Sequence, residues 1–351
     1  MTLRIIEGFD LFTASALGRA DIARRWSGAN TSLDASGPQT ETGHHHGLAW
    51  EAIATAETLH TRTLTEDTEW TLGFDVSLKN SPVTTGLRVR FYLSGVLQLE
   101  FKPKSTAAGS TTFGFYRGAT QVGSDLVLTA AASKTSWQYV EIRVKFSATA
   151  GEVEAYVDGV QSFAATALNT VDTGAGGADS FDVTIQDDGG TGWTLLDHLY
   201  AMDASGGSFL GVQVVEERVA TADGTTSGWT PSTGTDHYAM VDEAAADDAA
   251  TYLESDADDE LDLMDYENLA SIAGAIEGVE VETQAAVSSW GTRKMKPMVR
   301  TNSTNVEGDE ETVNSATFAA FRQMWEDNPE AGGAWTPAAV NAAEFGVKRS
   351  G

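Results

Sequence analysis

The longest regular alternation of apolar and polar positions runs from Trp70 to Lys79. Trp70, Leu72, Phe74, Val76 and Leu78 share one face, and Thr71, Gly73, Asp75, Ser77 and Lys79 the other. That is the period-two signature of a strand with one side buried and one side wet. The period returns where Val140, Ile142, Val144 and Phe146 alternate with Glu141, Arg143 and Lys145, and resumes after the small-residue loop 147–151 with Val153, Ala155 and Val157. Asp158-Gly159 follows, a pair that supplies the positive φ of a tight turn, so 137–163 reads as an antiparallel hairpin closed by a second turn. Shorter runs repeat the theme at 87–93, with Arg88, Arg90 and Tyr92 outward, and at 97–101, 113–115, 122–128, 181–185 and 193–202. Many short strands between turn signals, without a sustained helical period, predict an all-β sandwich.

A Gly/Ser stretch at 203–208 predicts a boundary, giving domains at 1–205 and 209–351. In the second, smaller and mainly β domain, 209–215 reads as a strand, 276–287 and 295–299 as further strands, and 316–325 as a helix or a strand. Residues 242–267 hold 12 acidic and no basic side chains, a density expected to stay in water. Thr336-Pro337 reads as an N-cap and first helical position, and 346–349 as the closing edge of a sheet.

Composition narrows the function classes. At 351 residues the chain can bury two cores without staples, and with no cysteine it has neither disulfides nor thiolate metal sites. A net charge of −29, heaviest in the C-terminal part, excludes nucleic acid as a partner because phosphate binding needs basic clusters. The N-terminus has no long apolar run and no window approaches the roughly 18 apolar residues of a membrane span, so neither a secretory signal nor membrane insertion is expected.

Candidate chemistry is sparse. Three adjacent side chains such as His44, His45 and His46 diverge, so they read as a polar loop before they read as a metal site. Asp256, Asp258, Glu260, Asp262 and Glu267 match the ligand offsets of a calcium loop, but Leu261 stands where that loop needs glycine. Calcium is therefore the one cofactor considered. Sugars stack on exposed aromatic rings, which nominates Tyr139 and Tyr156, with Tyr92 and Tyr116, as carbohydrate-binding residues. No nucleophile elbow, zinc-protease helix, phosphate loop or dinucleotide fingerprint is present.

The runs WQYVEIRVKF, GEVEAYVDGV and WTLLDHLYAMD together resemble the concanavalin A-like, laminin-G-like jelly-roll sandwich. The opening RIIEGFDLF and the stretches GWTPSTGTDHYAMVDE and NPEAGGAWTPAAVNAAEFGVKR resemble virion proteins of tailed phages. The first resemblance implies a rim calcium with Asp179, Asp182, Asp187, Asp188 and Asp197 as candidates. It also prompts a search for a glycosidase acid pair, for which Glu152 and Glu154 are the nearest match, although the Glu-x-Asp-x-x-Glu arrangement is absent. The second implies a non-enzymatic virion component, assembled in the host cytoplasm and released by lysis. Its partners would be other virion proteins, further copies of itself and a host-surface glycan. Two alternatives stand beside a tail-tip or fibre role: a capsid-surface decoration without ligand, and a lectin or polysaccharide-degrading enzyme.

Overall fold

The computed structural model describes residues 2–10, 24–26, 39–43, 48–51, 56–79, 86–104, 111–173, 176–186, 192–203, 209–244, 246–269, 274–288 and 291–351. The chain forms two compact units, Met1–Val215 and Glu216–Gly351. The strands of the first are β1 (Thr2–Glu7), β2 (Gln39–Thr42), β3 (Leu48–Glu51), β4 (Glu57–His60), β5 (Glu69–Lys79), β6 (Leu87–Leu93) and β7 (Val96–Pro103). They continue as β8 (Thr112–Arg117), β9 (Thr120–Val127), β10 (Gln138–Lys145), β11 (Gly151–Val157), β12 (Val160–Leu168), β13 (Ser180–Ile185) and β14 (Trp193–Asp203). An eight-stranded sheet runs β12-β11-β10-β5-β14-β3-β2, with β1 also on β14, and a six-stranded sheet runs β4-β13-β6-β7-β8-β9.

The alternation explains how these sheets meet. Trp70, Leu72, Phe74, Val140 and Ile142 point from the larger sheet into the same core as Phe91, Phe101, Phe115, Phe181 and Val183 from the smaller. Trp70 and Phe181 bridge the layers at 6.0 Å between ring centroids, and each such fully buried side chain contributes about 1.5–3 kcal/mol. The antiparallel all-β sandwich expected from the pattern is the fold of this unit. In its hairpin Val140 faces Val157, Ile142 faces Ala155 and Val144 faces Val153. Asp158 and Gly159 both take positive φ, 50° and 74°, as the second turn requires.

That turn leads into β12, which the alternation did not mark. Its residues VQSFAATAL carry no charge, and β12 lies at the end of the eight-stranded order. Val160 is 69% exposed, the pairing with β11 slips twice, and Ala167 sits at φ 56°.

In the second unit the sheet order places Leu261–Tyr266 next to Glu344–Arg349, then Arg293–Thr301, with Ala220–Ser227 and Thr304–Glu307 at the ends. Three expectations are corrected here. Residues 346–349 do not close an edge: Glu344–Arg349 is paired on both sides, because its Phe345 and Val347 are apolar enough for an interior strand. The acidic segment is not all solvated either. Leu261–Tyr266 is a core strand and Asp262 is fully buried, its carboxylate accepting from the Trp229 backbone N–H at 2.9 Å and bonded to His237 Nδ1 at 2.8 Å. Residues 209–215 form no strand and belong to the first unit. The ambiguous 316–325 resolves as a strand, Ala319–Trp325, paired with Val279–Ala285. Thr336 caps a helix at Pro337–Asn341, accepting from the Ala339 N–H.

Candidate functional site

The four nominated tyrosines do not make one platform. Tyr92 on β6 and Tyr116 on β8 lie on the outward face of the six-stranded sheet, whereas Tyr139 on β10 and Tyr156 on β11 lie on the outward face of the larger one. Tyr139 is buried and is withdrawn as a sugar-stacking residue. Tyr156 is occupied by Phe209, 4.3 Å away between centroids.

The outward face of the six-stranded sheet is the better site. Register aligns His60, Asp182, Arg90, Glu100, Tyr116 and Gln121 in one row, one residue from each strand. Asp182 is its hub. Fully buried, it accepts from Arg90 Nε at 2.8 Å and from the Tyr92 hydroxyl at 2.8 Å, and His60 Nδ1 stands 3.2 Å away. Several donors converge on one carboxylate, and each such charge-assisted bond is roughly twice a neutral one. Burial works against the Arg90 charge, but the Asp182 hydrogen bond holds the guanidinium above its ordinary value. Burial and then the Asp182 charge push the Tyr92 phenol well up, so it stays a donor.

Glu100 is the second anchor. Arg88 reaches it at 3.0 Å and Lys102 at 2.5 Å, while Lys102 Nζ lies 4.8 Å from the centre of the Tyr116 ring, a cation–π distance. At the rim Lys104 pairs with Asp125, which also accepts from Gln121. Sequence reasoning placed Arg88, Arg90 and Tyr92 outward but assigned the arginines no role. The available signal was the run Arg-Val-Arg-Phe-Tyr on β6 facing Glu-Phe-Lys on β7, alternating charges on neighbouring strands.

The opposite face is closed. Here Thr71, Asp75, Ser77, Glu141 and Tyr200 are polar yet buried; 209–215 lies against Glu141 and Tyr200, and the Trp193 Nε1–H donates to Ser77 Oγ at 3.1 Å. Glu141 Oε1 accepts from the Tyr200 hydroxyl at 2.6 Å and from the Gly211 N–H at 2.9 Å, and the Val215 N–H donates to His198 Nδ1 at 3.1 Å. Burial raises Glu141 and those hydrogen bonds pull it back part of the way. Gly73, opposite both Glu141 and Tyr200, must lack a side chain, since a Cβ there would fall on the Tyr200 ring. Burial, and then the charge of Asp158, push Asp75 up to about 8. A carboxyl with that pKa suits proton transfer, but Asp75 has no exposed surface.

The other acids are held by cations or scattered. Glu154 and Glu152 bind Arg143 at 2.9 and 3.5 Å, and Lys145 bonds Glu152 at 3.1 Å. The pair serves the sheet surface. The five calcium-loop residues do not converge: Asp258 pairs with Arg349 at 3.2 Å, Glu260 accepts from Ser255, and Asp262 is buried in a strand. Asp256 precedes that strand and Glu267 follows it, and an extended chain cannot wrap an ion. Asp179 accepts from the Ser94 N–H, Asp182 serves the row above, and Asp197 lies on the other sheet, so these three share no rim. His44–His46, Asp187 and Asp188 lie outside the described residues. Among the described residues no group of three or more His, Asp or Glu is arranged to hold a metal.

No protein family and no curated protein sequence matches the chain. Among solved structures, the catalytic domain of a GH131 beta-glucanase from Podospora anserina is 13% identical, with 56% of this chain and 94% of that one covered, at a TM-score of 0.36. The VIP36 exoplasmic/lumenal domain bound to Ca2+ and Man3GlcNAc is 6% identical (46% and 78% covered, TM-score 0.32). The metal-free Emp46p carbohydrate recognition domain is 8% identical (49% and 91%, TM-score 0.32). Likenesses this distant carry no information on what this chain binds.

Proposed function

We propose that the first unit is a non-catalytic carbohydrate-binding module whose ligand lies across the outward face of the six-stranded sheet. The observation that supports this is the row centred on Asp182, where half-exposed Arg90 is held by the buried carboxylate, Tyr92 donates to the same carboxylate, and half-exposed Tyr116 lies further along the row beside Lys102. A face of donors and rings held in place before the ligand arrives loses little entropy on binding, and sugars offer both hydroxyl acceptors and apolar C–H faces to such a surface. A hydrolase would need a solvent-reached acid pair. On this face Glu100 and Asp182 are committed to cations.

The setting we propose is the surface of a tailed-phage particle, in the tail-tip or fibre apparatus, with host-surface glycan as the ligand. It rests on the resemblance of the chain's ends. Capsid decoration is the other setting with the same sequence support, and copy number per particle separates them: a handful fits a tail tip and hundreds fit a decoration.

Glycan-array binding by the full chain tests the module itself. Arg90→Ala and Tyr116→Ala are each expected to weaken the strongest signal about tenfold. An array without signal, or a signal that neither change weakens, rules the reading out.

A further inference from the structure

On the open face the sign of charge changes with depth. Arg88, Arg90 and Lys102 keep 21%, 26% and 25% of their side chains exposed, whereas the carboxylates beneath them, Glu100 and Asp182, keep 8% and 0%. Outermost is a cationic layer, in a chain with 51 acidic and 22 basic residues and a net charge of −29. From this geometry we infer that the ligand of the face is an acidic glycan, a sugar polymer bearing carboxylates; the inference rests on the carbohydrate-binding reading above.

Two considerations favour an acidic over a neutral sugar. The first is range. At physiological ionic strength the field of the rest of the molecule is screened within about 8 Å, while a carboxylate in contact with a cation lies well inside that length. Local sign therefore decides contact, and net charge decides only the approach. The second is donor supply. A guanidinium has five N–H groups and an ammonium three. Arg90 directs Nε to Asp182 and one terminal nitrogen to Thr184, and Lys102 directs one bond to Glu100. Each group has more donors than these bonds use, on side chains that the carboxylates below hold in place, and Lys102 Nζ also lies over the Tyr116 ring. Tyr92 and Tyr116 flank them and distinguish a sugar ring from a bare polyanion.

The test uses the full chain with three soluble polymers: polygalacturonate, neutral dextran and polyglutamate. Polygalacturonate is expected to bind at least tenfold more tightly than either of the others at low salt, and to weaken progressively as sodium chloride is raised. Arg88→Gln and Lys102→Gln are expected to weaken polygalacturonate binding about three- to tenfold each while leaving the thermal midpoint near that of the parent. If one variant unfolds, the other and the salt series still decide. Dextran bound as tightly as polygalacturonate overturns the acidic assignment and leaves the carbohydrate reading standing. Polyglutamate bound equally well overturns the assignment to a sugar. Binding of none of the three, together with a silent glycan array, removes both readings.

Discussion

The two outward faces of the sandwich are built from similar material and end in opposite states. Each carries carboxylates and tyrosines on adjacent antiparallel strands. On the six-stranded sheet both acids of the central row, Asp182 and Glu100, have cations as partners, and those cations reach solvent. On the eight-stranded sheet Glu141 instead accepts from a tyrosine and from the backbone of 209–215, and Asp75 lies in the dark beside Tyr139 with a pKa near neutrality. On one face buried carboxylates orient cations that reach solvent, and on the other a covering segment takes up a carboxylate as a structural group.

The sharpest way to break this contrast is to remove the hub of the open face. Asp182→Ala leaves Arg90, Tyr92 and His60 facing an empty site and should cost about 2–3 kcal/mol in urea unfolding, less than the 3–5 kcal/mol of a fully buried pair because Arg90 remains partly in water. Glycan binding should disappear with it.

The closed face should show a pH dependence through Asp75. The Asp75 carboxyl titrates near 8 when folded and near 3.8 when unfolded, so between those values the folded state holds a proton that the unfolded state lacks. Its contribution to stability is fully present below about pH 4 and is lost as pH rises to about 8, at no more than about 1.4 kcal/mol per pH unit. Asp75→Asn should therefore gain on the parent as pH rises from 4 to 8 and hold that gain above, in thermal unfolding over pH 4–9. Parallel curves for the two proteins would show that Asp75 titrates as an ordinary surface acid.

The smallest effect is expected at the rim. Lys104 and Asp125 pair in full solvent, and exposed pairs of this kind add little to stability. Lys104→Ala should leave the thermal midpoint unchanged, a control that separates rim from hub.

Much of the architecture was legible in the residues. Trp70 to Leu78 and Val140 to Val157 alternate so strictly that burial on one side and turn chemistry at Asp158-Gly159 leave few other arrangements. What alternation could not show is what covers the other side. Glu141 reads as wet, yet it is buried because a segment 70 residues later donates to it, and Ser77 is buried with Trp193, 116 residues later, bonded to it. That segment, with Val212 and Val214 exposed, carries an apolar spacing that mimics a strand. Asp262 failed in the same way: a dense acidic run says water, but Trp229 and His237, 33 and 25 residues away, supply its partners. The binding face was half visible. Arg88, Arg90 and Tyr92 were placed outward, but their role depends on Asp182 and Glu100 from other strands, a pairing that only register creates.

The uncharged edge strand β12 has a bearing on how the protein behaves in concentrated solution. Among the described residues it ends its sheet order, and no lysine or proline guards it as edge strands are commonly guarded. Its slipped pairing and the left-handed Ala167 twist the edge, and mutual repulsion between copies of net charge −29 keeps edges apart at low ionic strength. Added salt then acts in opposite senses at two margins of one sandwich. It loosens an acidic polymer from the arginine-bearing face, and it removes the repulsion that prevents one edge from zipping onto another.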